Sequence, residues 1–339
     1  MADFAPQDIL ELTLDNNQIE IKSIQFHPQP KIISHNISFN DSLYNDIVNR
    51  VQRISYSESS FLEELKKLGQ LIYKLFFYDS NGQLLKGMST VFQNNNPLNL
   101  FLSGKIEIIP LELAYDGEKY AGLKRIISRS NSEEGVLNKK RELVKTEKSL
   151  LVIADPTQNS DASYHEGEIL FNKLNENHSK YFSTIDFLSK EMSKIEFTEL
   201  LEHYDYLYFA GHGELSRELS GSLRLGKNVL LEEKDISILQ NPPEMIFINA
   251  CLTSLVDPTT QSSLIKKLLK VGVKNIIASS WIIFDEDFSQ FSLKFFDQLF
   301  SGQSIGESFN RVKLYNYDEN DFKWAYFSLF GNPLENFFS

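Results

Sequence analysis

The chain has 339 residues, 42% of them hydrophobic, with 26 Phe and a formal net charge of −12. That apolar content supports one enlarged domain or about two, and a mean hydropathy of −0.27 with no run of ~18 apolar residues points away from a membrane protein. The acidic balance repels phosphate backbones and argues against nucleic acid as a main partner.

The single cysteine, Cys251, leaves no intramolecular disulfide. The start Met1-Ala2-Asp3-Phe4 lacks the basic stretch and apolar run of a signal peptide. A reducing cytoplasm is the expected location. The six histidines, at 27, 35, 165, 178, 203 and 212, show no paired metal-ligand spacing. No Gly-Lys-Ser/Thr follows a strand. Neither a metal nor a cofactor is expected.

Residues 1–35 alternate apolar and polar, as in Ile19-Glu20-Ile21-Lys22-Ser23-Ile24, and predict a hairpin or edge sheet. Residues 41–77 predict two helices: Leu43, Ile47, Val48 and Val51 share one face, and Leu62, Leu65, Leu68, Leu71, Ile72 and Leu75 another. Asn94-Asn95-Asn96-Pro97 is a turn, and strands are predicted near Leu98–Ser103 and Ile106–Pro110. The polar, charged stretch 128–149 is a helix or solvated crossover between an N-terminal α/β part, residues 1–145, and a catalytic part, residues 146–339.

From Ser149 the pattern changes. Continuous apolar runs at Leu150–Ala154, Tyr206–Ala210, Met245–Ala250 and Asn275–Ser279, with a strand at Phe182–Phe187, alternate with helical stretches at Tyr164–Leu174, Glu191–Tyr204, Leu264–Val271 and Phe288–Phe300. Such alternation predicts a parallel sheet covered on both faces.

In an open parallel sheet, sites form beyond the carboxyl ends of the strands. Two runs end in reactive residues: Tyr206–Ala210 delivers Gly211-His212-Gly213, and Met245–Ala250 delivers Cys251. If those strands are neighbours, imidazole and thiol face one cleft, and the imidazole can take the thiol proton. The glycines flanking His212 permit close backbone approach, and the amides of Gly213 and Cys251 could point at an oxyanion. Taken alone, a Cys on an apolar strand is more often inert core, and a lone His more often a surface or capping residue. Their joint placement at two strand ends is what distinguishes them here.

These residues carry a resemblance. Tyr208-Phe209-Ala210-Gly211-His212-Gly213 and Ile248-Asn249-Ala250-Cys251 resemble the His and Cys motifs of CHAT-domain proteins, of the caspase, separase and gingipain superfamily of cysteine peptidases (clan CD). Leu65-Lys66-Lys67-Leu68-Gly69-Gln70-Leu71-Ile72-Tyr73 is similar to the family's early helix, and Ile109-Pro110-Leu111-Glu112-Leu113 to its next segment. Gly272-Val273 with Ile276-Ile277-Ala278-Ser279-Ser280-Trp281 is similar to the strand after the nucleophile, and Trp324–Pro333 to the closing strand and turn. These motifs occur in family order from about residue 60 to 333.

The resemblance implies a three-layer αβα caspase-like sandwich with a mostly parallel six-stranded sheet, and an N-terminal α/β extension, residues 1–145, packed on it as a pseudo-caspase half. It implies Cys251 as nucleophile, His212 as general base or acid, and an oxyanion site at the Gly213 and Cys251 amides. A protein substrate would lie extended, adding a strand along an edge near Ser279-Ser280-Trp281-Ile282; an ordinary buried strand is the plainer reading of that stretch.

The chain also departs from the superfamily. Caspases anchor a substrate aspartate with a glutamine and an arginine where this chain has Asn249 and Ile282, so strict aspartate specificity is not expected. Asp155, Asp285 and Asp287 would suit an acidic pocket for Lys or Arg; alternatively Asp285–Asp287 begin a helix, where carboxylates suit the dipole. Many CHAT proteins carry tetratricopeptide arrays and this chain shows none, so a separate activator protein is expected. The Arg217–Lys227 segment is a surface hairpin or a loop that orders on activation. The family implies roles in anti-phage defence or controlled cell death, for instance cleaving a gasdermin-like protein, or else a non-catalytic signalling scaffold. Gly302-Gln303-Ser304-Ile305-Gly306 has the spacing of a serine-hydrolase elbow but follows a helix, so it reads as a helix–helix turn with Ser304 as N-cap.

Overall fold

The N-terminal alternation builds an antiparallel meander of β1 (Asp8–Asp15), β2 (Gln18–Gln25) and β3 (Lys31–Ser38). Asn16 and Asn17 make its first turn with φ of 46° and 61°, a left-handed pair that Asn tolerates. The computed structural model describes residues 7–26, 29–54, 61–93, 96–130, 148–216, 220–254, 263–279, 289–318 and 322–337. Most of the polar crossover 128–149 therefore lies outside the described residues.

Helices α1 (Asp41–Ile54) and α2 (Phe61–Phe77) follow, then β4 (Leu98–Ser103), α3 (Ala121–Lys124) and β5 (Ile127–Arg129). The strand predicted at Ile106–Pro110 is instead a pair of 3₁₀ turns, Gly104–Ile108 and Leu111–Leu113. The buried residues Ile106 and Ile109 lie three apart, which is the 3₁₀ period and not the strand period.

The second half runs β6 (Lys148–Ala154), α4 (Asp161–His178), β7 (Phe182–Leu188), α5 (Lys194–His203), β8 (Tyr206–Ala210), β9 (Gly213–Leu215), β10 (Gly221–Gly226) and β11 (Val229–Leu231). It continues through β12 (Met245–Asn249), α6 (Leu264–Lys270), β13 (Asn275–Ser279), α7 (Ser289–Phe300), α8 (Ile305–Asp318) and β14 (Phe327–Gly331). Ser304 caps α8: its hydroxyl accepts from Glu307 N (3.3 Å), while Glu307 Oε2 accepts from Ser304 N (3.0 Å), as the helix–helix turn reading expects.

The main sheet has eleven strands, ordered β3-β2-β1-β4-β5-β14-β13-β12-β8-β6-β7, where the resemblance implied six. Six of them, β14-β13-β12-β8-β6-β7, come from residues 148–331, with only β14 antiparallel. The other five join through β5, which pairs with β14 in parallel. The fold is α/β, and within the second half it is a three-layer sandwich. Alternate residues of β8 and β12 serve opposite layers. Tyr206, Tyr208, Met245 and Phe247 enter one core with α2, α4, α7 and α8. Leu207, Phe209, Ile246 and Ile248 enter the other with α5 and α6. The first core also takes in Leu10, Leu12 and Leu100 of the N-terminal strands, so the two halves share one apolar layer. Tyr120 and Trp324 meet across it with ring centroids 4.8 Å apart.

Candidate active site

Within the six-stranded part, β7 lies on one side of β6 and β8 on the other. Strand order thus reverses between β6 and β8, and crevices for ligands form at the carboxyl ends beside such a reversal. Three segments emerge there: the loop 155–160 after β6, Gly211-His212-Gly213 after β8, and the turn 251–254 after β12.

β8 pairs in parallel with both β6 and β12, and one row of the register holds Ala154, Ala210 and Asn249. His212 lies two residues past that row on its strand and Cys251 two past it on the next (212 − 210 = 251 − 249 = 2). Neighbouring strands run ~4.8 Å apart, so both side chains start from the same end of adjacent strands. The emerging backbones stay together: Gly211 N donates to Asn249 O at 3.2 Å, and a Cβ on Gly213 would sit 2.1 Å from Cys251 O. His212 and Cys251 are both half-buried, and Cys251 is in no disulfide.

Local geometry explains how Cys251 is presented. Leu252 takes φ of 57°, a costly conformation for a branched apolar residue, and turns the chain sharply after Cys251. Thr253 Oγ1 donates to Ala250 O at 3.2 Å, and Ser254 N to Ser279 O at 2.9 Å. Over this turn lies the small sheet β9-β10-β11, so the Arg217–Lys227 segment is hairpin where described; residues 217–219 lie outside the described residues. Arg224 N donates to His212 O at 3.0 Å. A Cβ on Gly221 would fall 2.4 Å from Leu252 O and 2.5 Å from Thr253 O. Gly221→Ala must therefore lift the hairpin off the turn. We expect it to slow thiol labelling of Cys251 by at least ~10-fold, as small displacements of reacting groups do, with unchanged far-ultraviolet circular dichroism. A wild-type labelling rate would show that the hairpin does not hold the turn.

Over residues 66–332, most of its length, the sequence matches the CHAT domain. The chain belongs to the CHAT-domain family. Its fold is also similar to separase in the Saccharomyces cerevisiae separase–securin complex. One crystal structure of that complex gives a TM-score of 0.65 at 11% identity, covering 96% of this chain and 30% of that one; another gives 0.52 at 11%, covering 88% and 23%. A structure described as a protease gives 0.54 at 11%, covering 88% and 76%. This CHAT chain thus spans under a third of separase. No curated protein sequence matches it. The CHAT domain here is mixed α/β, with a central sheet flanked by helices as in those structures.

The remaining expected site residues fall in different places. In the CHAT domain, Asp155 is 5% exposed. Its Oδ1 accepts from Asn159 N (3.2 Å) and its Oδ2 from Ser160 N (3.0 Å). It braces its own loop and does not face an open pocket. Asn249 is likewise buried, with Nδ2 2.7 Å from both carboxylate oxygens of Glu166 on α4, so its amide nitrogen is engaged below the site. Ser279 is fully buried on β13, which is paired on both sides by β12 and β14. The described part of that stretch is thus no sheet edge. Ser280, Trp281, Ile282, Asp285 and Asp287 lie outside the described residues. Among the described residues, no group of three or more His, Cys, Asp or Glu could hold a metal ion, and no helix is long and apolar enough to cross a membrane.

Two residues beside the site escaped the sequence reading. Asn159 Oδ1 lies 2.9 Å from His212 Nε2; the partners are 53 positions apart, and nothing local signals the contact. Glu166 receives Tyr208 OH, and Ser292 Oγ of α7 at 3.3 Å, besides Asn249. Here a signal did exist: Glu166, Leu170 and Leu174 repeat every four residues on the buried face of α4, so a carboxylate stands where the pattern wants an apolar residue. Burial, with the Glu166 charge beside it, holds the Tyr208 phenol well above its ordinary range, so that Tyr208 remains a neutral donor.

Proposed function

We propose that the chain is a cysteine endopeptidase with Cys251 as nucleophile and His212 as its proton carrier. The observation that carries the reading is the shared register row: the only cysteine and His212 leave adjacent parallel strands at equal height, within a CHAT domain. The thiol proton passes to His212, and the thiolate attacks the scissile carbonyl. The amides of Gly213 and Cys251 hold the oxyanion. As the carbonyl re-forms, the C–N bond breaks and His212 protonates the leaving amine, leaving a thioester on Cys251. Water, giving its proton to His212, then hydrolyses the thioester and restores the thiol.

The substrate we propose is a protein presented as an extended segment, in anti-phage defence or cell death a gasdermin-like one, with a separate protein as activator. Family resemblance supports these last steps. The test is incubation with a thiol-reactive peptide ketone and a peptide library. The expected result is one adduct per chain, mapped to Cys251, with cleavage that the adduct abolishes. Cleavage surviving full modification of Cys251 would remove the peptidase assignment. An unlabelled Cys251, with signalling unchanged in Cys251→Ala, would make the chain a scaffold instead.

A further inference from the structure

We propose that Asn159 orients His212, and that Asp155 and Thr157 hold Asn159 in place for that task; the proposal rests on the peptidase reading above. The loop after β6 is tied directly to the histidine strand, because Asp155 N donates to Ala210 O at 2.8 Å. Asp155 takes φ of 43° and turns its carboxylate back on the loop, where it receives the backbone N–H groups of Asn159 and Ser160. A buried, non-glycine residue in the left-handed region persists only where its surroundings enforce it, and here three hydrogen bonds do so. The Thr157 hydroxyl is fully buried and lies 2.9 Å from Asp155 Oδ1 and 2.5 Å from Asn159 Oδ1. Its one hydrogen is shared between the two oxygens in a three-centre bond that ties the amide to the carboxylate. The amide oxygen then meets His212 Nε2 at 2.9 Å.

An amide oxygen only accepts hydrogen bonds. Nε2 must therefore carry hydrogen, which leaves Nδ1 of the neutral ring with the lone pair that takes the thiol proton. When His212 gains that proton both ring nitrogens donate, and Asn159 Oδ1 still satisfies Nε2. One acceptor thus suits the ring before and after proton transfer. This is a positioning role: Asn159 acts through His212 and has no part in the bonds made or broken.

Other titratable groups on the elements meeting at the ring are Cys251, Asp155, and Glu214 with Arg224. The last two are paired on the hairpin, Arg224 Nε to Glu214 Oε2 at 3.2 Å. None of them replaces the Asn159 contact at Nε2 among the described residues.

The test uses the full chain and the variants Asn159→Ala, Asn159→Asp and Thr157→Val, each first matched to wild type in thermal unfolding. Nitrogen-15 NMR of the neutral imidazoles, assigned with His212→Gln, should show hydrogen on Nε2 of His212 in wild type and a mixture of tautomers in Asn159→Ala. Asn159→Ala should lower kcat for the cleaved peptide ~10–100-fold with KM within ~3-fold, and Thr157→Val should act in the same direction but less. Asn159→Asp should keep the Nε2 tautomer, since a carboxylate oxygen accepts from the ring as the amide oxygen does. Hydrogen on Nδ1 in wild type, or an unchanged tautomer and kcat in Asn159→Ala, overturns the proposal. Full cleavage by Cys251→Ala would instead sink the peptidase reading, and the NMR arm would still report on Asn159.

Discussion

Cys251→Ala is expected to cut kcat/KM for peptide cleavage by at least ~10⁴-fold, His212→Ala by a comparable factor, and the double variant by no more than the worse single one. A nucleophile and its proton carrier act as one unit, so removing either disables the covalent route and removing both loses nothing further. In the proposed mechanism the residual rate comes from binding and from the Gly213 and Cys251 amides, which the double variant keeps. Steady-state kinetics on the three variants and wild type measures the cycle. Losses that multiply would mean that the two side chains work independently, contrary to their placement past one register row. Near wild-type turnover by Cys251→Ala would leave the cleavage without a nucleophile on β12.

The second large effect is structural. Glu166→Ala should destabilise the chain by about 3–5 kcal/mol, because the Tyr208 hydroxyl and the Asn249 amide each lose a buried acceptor at ~1–3 kcal/mol apiece and the removed side chain leaves a void. Glu168→Ala, two residues along the same helix, is the control. Its side chain is 45% exposed and pairs at 3.6 Å with His165, an arrangement worth well under 1 kcal/mol. Urea unfolding of both variants decides the matter: a loss below about 1 kcal/mol for Glu166→Ala would contradict the buried cluster. Because Asn249 ends β12 two residues before Cys251, Glu166→Ala should also lower activity in whatever fraction remains folded. The cluster ties β8, β12, α4 and α7 to one carboxylate, so its loss loosens from beneath the strands that lead to His212 and Cys251.

The central strands of the second half, β6, β8, β12 and β13, were legible because each is a short, almost wholly buried apolar run, as a parallel strand covered on both faces must be. His212 and Cys251 were legible for the same reason: each follows immediately on such a run. Asp155 looked like a pocket acid because composition reveals a charge but not the backbone angle that turns it inward. The strand order was harder to read. β5 meets β14 some two hundred positions later, and three-residue β5 carries too little pattern to announce a partner, so a six-stranded sheet seemed complete. Asn249 occupies the position of a substrate-anchoring glutamine, but its side chain is drawn down by Glu166, 83 positions earlier. The misplaced strand at Ile106–Pro110 had the right residues buried and the wrong repeat.

The seam between β5 and β14 bears on how the protein is made. Strand β14 is the wedge between β13 and β5, and it is contributed by residues 327–331. A ribosome that has passed Cys251 but not residue 331 has produced two partial sheets with raw rims facing each other, both capable of recruiting stray strands. Joining them awaits a segment translated some eighty residues after the thiol, so the scaffold beneath the reactive pair closes late. Unfinished chains would thus carry the sulfur without its completed support.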